Sequence, residues 1–169
     1  MLIGIIIVIC VAVTSVVSYV VHANQKAEKQ KYYDAAYKVI KENCLNNAIR
    51  SHSKQIQGGQ KIMLYLKWKD SEKRGYVFDP EKKIRIGRSP EINDICIREE
   101  TVSGTHCMLY LYQGELVLQD LNSRNGTWIL RGFGRHLIQG AEYVYSGDRI
   151  MVGDLKMKVT VFTFDMAYV

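Results

Sequence analysis

Cysteine is scarce, and its spacing excludes more than its number. Cys10, Cys44, Cys96 and Cys107 stand 34, 52 and 11 residues apart, which fits no metal-binding pattern. Downstream of the first apolar run three cysteines remain, an odd number that suits free thiols better than a disulfide framework. His22, His52, His106 and His136 are scattered, with no i, i+4 pair, and Cys107 beside His106 has no further cysteine or histidine nearby in sequence to close a zinc shell. There is also no glycine-rich phosphate loop followed by lysine and no nucleophile elbow, so neither catalysis nor a cofactor is expected. Basic residues outnumber acidic ones only modestly, 23 to 17. The net charge of +6 is concentrated in residues 22–60, with seven basic and three acidic side chains, against sixteen and fourteen in residues 61–169. No basic-aromatic interleaving appears, and a nucleic-acid partner is not expected.

What charge does not touch is the segment Leu2–Val21, twenty residues without Asp, Glu, Lys or Arg. As a helix at about 1.5 Å per residue it reaches about 30 Å, the hydrocarbon thickness of a bilayer. A transmembrane helix over residues 1–23 is therefore the expectation, with the lipid bilayer as a partner through residues 2–21. A cleaved signal peptide competes with it, because Val21-His22-Ala23 has a small-x-Ala pattern. Against cleavage stand the missing basic region before Leu2 and an apolar run longer than about 7–15 residues. Lys26, Lys29, Lys31, Lys38 and Lys41 follow the run and nothing basic precedes it, which predicts a single-pass protein of the cell membrane with its carboxyl-terminal domain in the cytoplasm. Residues 24–60 read as a basic juxtamembrane helix and a flexible linker. Asn24–His52 lacks Pro and Gly, and Tyr33, Ala36, Tyr37, Ile40 and Cys44 recur at helical spacing. That helix is either a solvated spacer or one that packs on a partner or the membrane. Ser51–Gln60, with Gly58-Gly59, is the linker.

From Lys61 the period shortens to two, most plainly in Lys156–Phe164. Ten further short runs share it: Ile62–Trp68, Tyr76–Phe78, Ile84–Ile86, Ile95–Ile97, Cys107–Tyr112, Glu115–Gln119, Trp128–Leu130, Leu137–Ile138, Tyr143–Tyr145 and Arg149–Val152. Turn signals separate them at Gln113-Gly114, Asn125-Gly126, Gly132–Gly134, Ser146–Asp148 and Gly153-Asp154. Eleven short strands without a long helical period predict an all-β sandwich over residues 61–169. Asn125-Gly126 reads as a tight hairpin turn, since both residues tolerate positive φ.

The polar residues between these strands resemble those of the forkhead-associated (FHA) family. Gly87-Arg88, Asn93-Asp94-Ile95, Ser103-Gly104-Thr105-His106, Asn122–Thr127 and Gly147-Asp148 follow the family's order and spacing over about Lys61–Phe164. The resemblance implies an eleven-stranded FHA-type sandwich whose loops at one end bind phosphothreonine peptides, and a threonine-phosphorylated partner made by a Ser/Thr kinase. It assigns phosphothreonine binding to Arg88, Ser103, Gly104, Arg124 and Asn125, and support of the binding loops to Gly87, His106 and Gly126. The chemistry is suitable: a phosphothreonine carries nearly two negative charges and three acceptor oxygens, and a guanidinium offers it two parallel N–H donors. One residue departs from the pattern. Many family members carry Arg or Asn directly after the phosphate-binding serine, where this chain has Gly104, which either weakens the phosphate contact or leaves Arg98, Arg124 or Lys83 to compensate. A phosphate-independent structural subunit of a membrane assembly is the alternative function.

Overall fold

The computed structural model describes residues 2–50, 59–69 and 73–165. Most of the expected linker, residues 51–58, lies outside them. One helix, α1 (Leu2–Arg50), precedes eleven strands: β1 (Gln60–Lys69), β2 (Lys73–Phe78), β3 (Ile84–Gly87), β4 (Ile95–Cys96), β5 (Cys107–Tyr112), β6 (Glu115–Asp120), β7 (Thr127–Arg131), β8 (Gly134–Leu137), β9 (Ala141–Tyr143), β10 (Arg149–Val152) and β11 (Leu155–Asp165). A 3-10 turn at Pro80–Lys82 joins β2 to β3.

The strands form two sheets, ordered β2-β1-β11-β10-β7-β8 and β4-β3-β5-β6-β9. All pairings are antiparallel except β3 with β4. Alternation explains the core: Leu64, Leu66 and Trp68 of β1 point inward beside Met157 and Val159 of β11, and meet Ile86, Leu109 and Leu118 of the other sheet in one apolar cluster. The outer face of the six-stranded sheet departs from simple alternation. Met63 and Phe162 are direct cross-strand neighbours there, and they and Phe164 are buried. Ala36 and Ile40 of α1, one turn apart, are buried too and belong to the same compact unit, residues 35–169. This part of the helix is thus not a wholly solvated spacer.

The other compact unit, residues 1–34, corrects the membrane expectation. Among the described residues no helix is long and apolar enough to cross a membrane. The single-pass topology and its orientation are overturned by that finding, which gives no support to the bilayer contact expected through residues 2–21. The uncharged run contains Thr14, Ser15 and Ser18, and the hydroxyls of Thr14 and Ser15 fold back onto the Val11 carbonyl. It also continues without a break into the lysine-bearing turns of α1.

Two strands sit differently from their expected positions. β8 is Gly134–Leu137, not Leu137–Ile138, and β9 is Ala141–Tyr143, not Tyr143–Tyr145. Both are sheet edges, and all four residues of β8 are exposed, so no buried face imposes a period on them.

At the hairpin end of β7, the Asp148 carboxylate accepts from Arg131 Nε (3.0 Å) and Nη2 (2.7 Å) and from the Tyr145 N–H (2.9 Å). The Arg131 guanidinium also covers the Tyr145 ring at 4.7 Å. Asp148→Ala is expected to destabilise the domain by about 1–2 kcal/mol in urea unfolding, a value kept low because Arg131 is half exposed and regains water.

Candidate functional site

Three loops meet at one end of the sandwich: 88–94 after β3, 97–106 before β5 and 121–126 between β6 and β7. Backbone pairing ties the first two together. The Arg88 N–H donates to the Ser103 carbonyl (2.9 Å), the Ser89 N–H to the Gly104 carbonyl (3.1 Å), and the His106 N–H to the Ile86 carbonyl (2.9 Å). The Ile97 N–H closes on the Gly87 carbonyl (2.9 Å). Residue 88 is therefore held beside residue 103, although fifteen positions separate them in sequence. The Arg88 side chain is exposed, and among the described residues it has no carboxylate partner.

The third loop is tied in by side chains. Ser103 Oγ accepts the Arg124 N–H at 3.0 Å, which fills an acceptor position of the hydroxyl and leaves its proton for another group. Asn125 Nδ2 donates to the Thr101 carbonyl at 2.7 Å, leaving the amide oxygen of an exposed side chain as an acceptor. His106, fully buried, joins all of this: its Nδ1 accepts the Ser103 N–H at 3.1 Å and its Nε2 lies 3.2 Å from the Gly126 carbonyl. With Nδ1 accepting, the ring proton belongs on Nε2, so the imidazole is neutral and donates to Gly126. Burial holds His106 below the ordinary histidine value, against the opposing pull of the Gly126 carbonyl and the Asp120 charge.

The structure thus gathers Arg88, Ser103, Gly104, Arg124 and Asn125 around one loop end, with Gly87, His106 and Gly126 at its base. Gly87 has no room for a side chain, because a Cβ would collide with the Gly104 carbonyl and the Asn93 amide. Gly126 has φ +72°, and a Cβ there would collide with Leu137 Cδ1. Gly126→Ala is expected to cost about 1–2 kcal/mol from the left-handed backbone alone, read as a lower urea midpoint with an unchanged m-value.

Two expectations about this region fail. Asn125-Gly126 is not a hairpin turn. The loop carries the chain from β6 in one sheet to β7 in the other, and the positive φ angles fall on Asn122 (59°) and Gly126, not on Asn125. Lys83 cannot compensate for Gly104, since it precedes β3 while Arg88 follows it, and its ammonium lies over the Tyr110 ring at 5.9 Å.

Other residues carry more of the site than their sequence suggested. Asn93 Nδ2 donates to both the Ser89 carbonyl (2.6 Å) and the Gly104 carbonyl (2.7 Å). Asp120 accepts from Ser123 N (3.0 Å), Ser123 Oγ (2.7 Å) and Thr127 Oγ1 (2.5 Å), fixing the turn that leads to Arg124. Burial pushes the Asp120 carboxyl up, but the Thr127 and Ser123 donors outweigh it and leave it below the ordinary aspartate value. The available signal was an aspartate three residues before a serine, the spacing of a side-chain-capped turn.

The FHA domain family model matches residues 84–153. Among solved structures, Mycobacterium tuberculosis EmbR in complex with a low-affinity phosphopeptide superposes with a TM-score of 0.51 at 28% identity, over 58% of this chain and 24% of EmbR. The chain therefore corresponds to about a quarter of EmbR. An Arabidopsis thaliana FHA domain gives a TM-score of 0.54 at 26% identity, over 64% of this chain and 92% of that one. The FHA domain of Chlamydia trachomatis CT664 gives 0.52 at 18% identity, over 58% and 96%, a likeness of fold alone. No curated protein matches the chain. The eleven-stranded sandwich thus has the fold of these FHA domains, and the segment that the FHA domain model matches, residues 84–153, lies within it.

Proposed function

We propose that the domain binds phosphothreonine-containing segments of a partner protein and serves as an adaptor in Ser/Thr-kinase signalling, without catalysis of its own. The observation that carries this reading is the Ser103 hydroxyl. Its acceptor side is occupied by the Arg124 N–H, its loop is braced by His106, and its proton is left for an anion beside an exposed, uncommitted guanidinium at Arg88. A phosphate ester takes such donors, and Arg88 supplies the paired N–H groups that suit it. The Asn125 amide oxygen is in place to accept a main-chain N–H of the bound segment, and Arg124 lines its path. The similarity to EmbR, which holds a phosphopeptide, points the same way.

Affinity in the micromolar range needs about 8 kcal/mol, and charge-assisted hydrogen bonds contribute about 1.5–3 kcal/mol each before ordering costs. Titrating the full chain with a phosphothreonine peptide library and its unphosphorylated counterpart tests the reading. Selective binding of the phosphorylated set supports it. Equal binding of both sets would replace it with phosphate-independent assembly.

A further inference from the structure

Gly104 removes the side chain that many FHA domains place directly after the phosphate-binding serine, and the structure shows what stands in that space. A Cβ built on Gly104 would lie 3.2 Å from the Ser89 hydroxyl oxygen. Ser89 is held there by both of its peptide groups: its N–H donates to the Gly104 carbonyl at 3.1 Å, and its carbonyl accepts from Asn93 Nδ2 at 2.6 Å. The same Asn93 nitrogen holds the Gly104 carbonyl at 2.7 Å, so one amide fixes residues 89 and 104 against each other. Asn93 Oδ1 is buried without a hydrogen-bond partner, a cost that a merely space-filling residue would not carry. Ser89 is half-buried, and among the described residues its hydroxyl has no partner.

From this we infer that Ser89 is a further phosphate-binding residue, its hydroxyl supplying from the β3–β4 loop the donor that Gly104 cannot supply from the β4–β5 loop, with Asn93 positioning it. The inference rests on the phosphothreonine reading of the same site. A hydroxyl is compact and neutral where arginine or asparagine would be long or bulky. The exchange therefore adds no cation to Arg88 and Arg124, and leaves the loop end with less positive charge than an arginine at 104 would give it. Gly104 accordingly suits this arrangement, since a side chain at 104 would crowd the Ser89 hydroxyl.

The test uses the full chain and N-acetyl-phosphothreonine N-methylamide, with the unphosphorylated amide as control, followed by NMR titration. Ser89→Ala is expected to weaken the phosphorylated probe about tenfold without moving the unfolding midpoint, and Ser89→Thr, which keeps the hydroxyl, to retain wild-type affinity. The double variant Ser89→Ala, Gly104→Ser is expected to recover most of the loss, because it returns a hydroxyl to the same space from the other loop. Unchanged affinity in Ser89→Ala while Arg88→Ala abolishes binding would overturn the role of Ser89 and leave the phosphate site standing. Loss in Ser89→Thr equal to that in Ser89→Ala would likewise reduce Ser89 to a packing residue. Wild-type binding that does not distinguish the two probes would overturn the phosphothreonine reading itself.

Discussion

Replacing Arg88 by alanine is expected to lower affinity for a phosphothreonine peptide by at least about 100-fold while leaving the fold intact. Two parallel charge-assisted hydrogen bonds at about 1.5–3 kcal/mol each amount to two or more decades of affinity. The side chain is exposed and has no carboxylate partner among the described residues, so its removal breaks nothing in the free protein. Stability should therefore stay within about 0.5 kcal/mol. Arg88→Lys separates charge from geometry. An ammonium keeps the attraction but not the two-pronged contact, so its affinity should fall between the other two, with a salt dependence like that of the wild type. Calorimetric titration of the three forms at two salt concentrations checks both statements. A loss below about fivefold in the alanine form would remove Arg88 from the site.

The sandwich was readable from the chain because its central strands bury one face. Lys156–Phe164 alternates visibly, and β11 runs Leu155–Asp165. The edges were less readable, since β8 exposes every residue and nothing in the sequence distinguishes its start from the Phe133 turn. Loop chemistry was legible where a residue type has one principal use, as with the small residue at position 87, which the Gly104 carbonyl requires. It failed where the partner is remote. Asn93 acts on residues 89 and 104, and the 11-residue separation from Gly104 has no local signature. Asn125-Gly126 misled for the same reason: the pair spells a hairpin, but the flanking strands enter different sheets, and sheet membership is a property of the whole fold. The apolar run at Leu2–Val21 misled in another way: no charge interrupts it, yet among the described residues no helix is long and apolar enough to cross a membrane.

His106→Ala should produce the largest loss of stability of any substitution near the site, about 3 kcal/mol, or a fall of roughly 10 °C in Tm. The ring is fully buried, so truncation leaves a cavity, and it also removes the partner of the Ser103 N–H and of the Gly126 carbonyl, both partly buried, at about 1 kcal/mol each. The pH dependence identifies the mechanism. His106 in the fold lies below its ordinary value of 6.5, so between those two values the unfolded chain binds the proton that the folded chain refuses. Its contribution is complete above pH 6.5 and declines as pH falls from there towards the folded value, because protonating Nδ1 sets two N–H donors, Ser103 and the ring, against each other. Asp120 and Asp148 act in a separate window. Both lie below the ordinary aspartate value of 3.8, so what they contribute is present above it and is lost only as pH falls through their folded values. The stability gap between wild type and His106→Ala should accordingly be constant from pH 8 to about 7 and narrow as pH falls below 6.5. Urea unfolding is the right readout, since a phosphate monoester takes up its own proton near pH 6 and would confuse a binding curve. A gap that stays constant down to pH 5 would show that the neutral imidazole does not hold the Ser103 loop, and with it the account of how that hydroxyl is presented would fall.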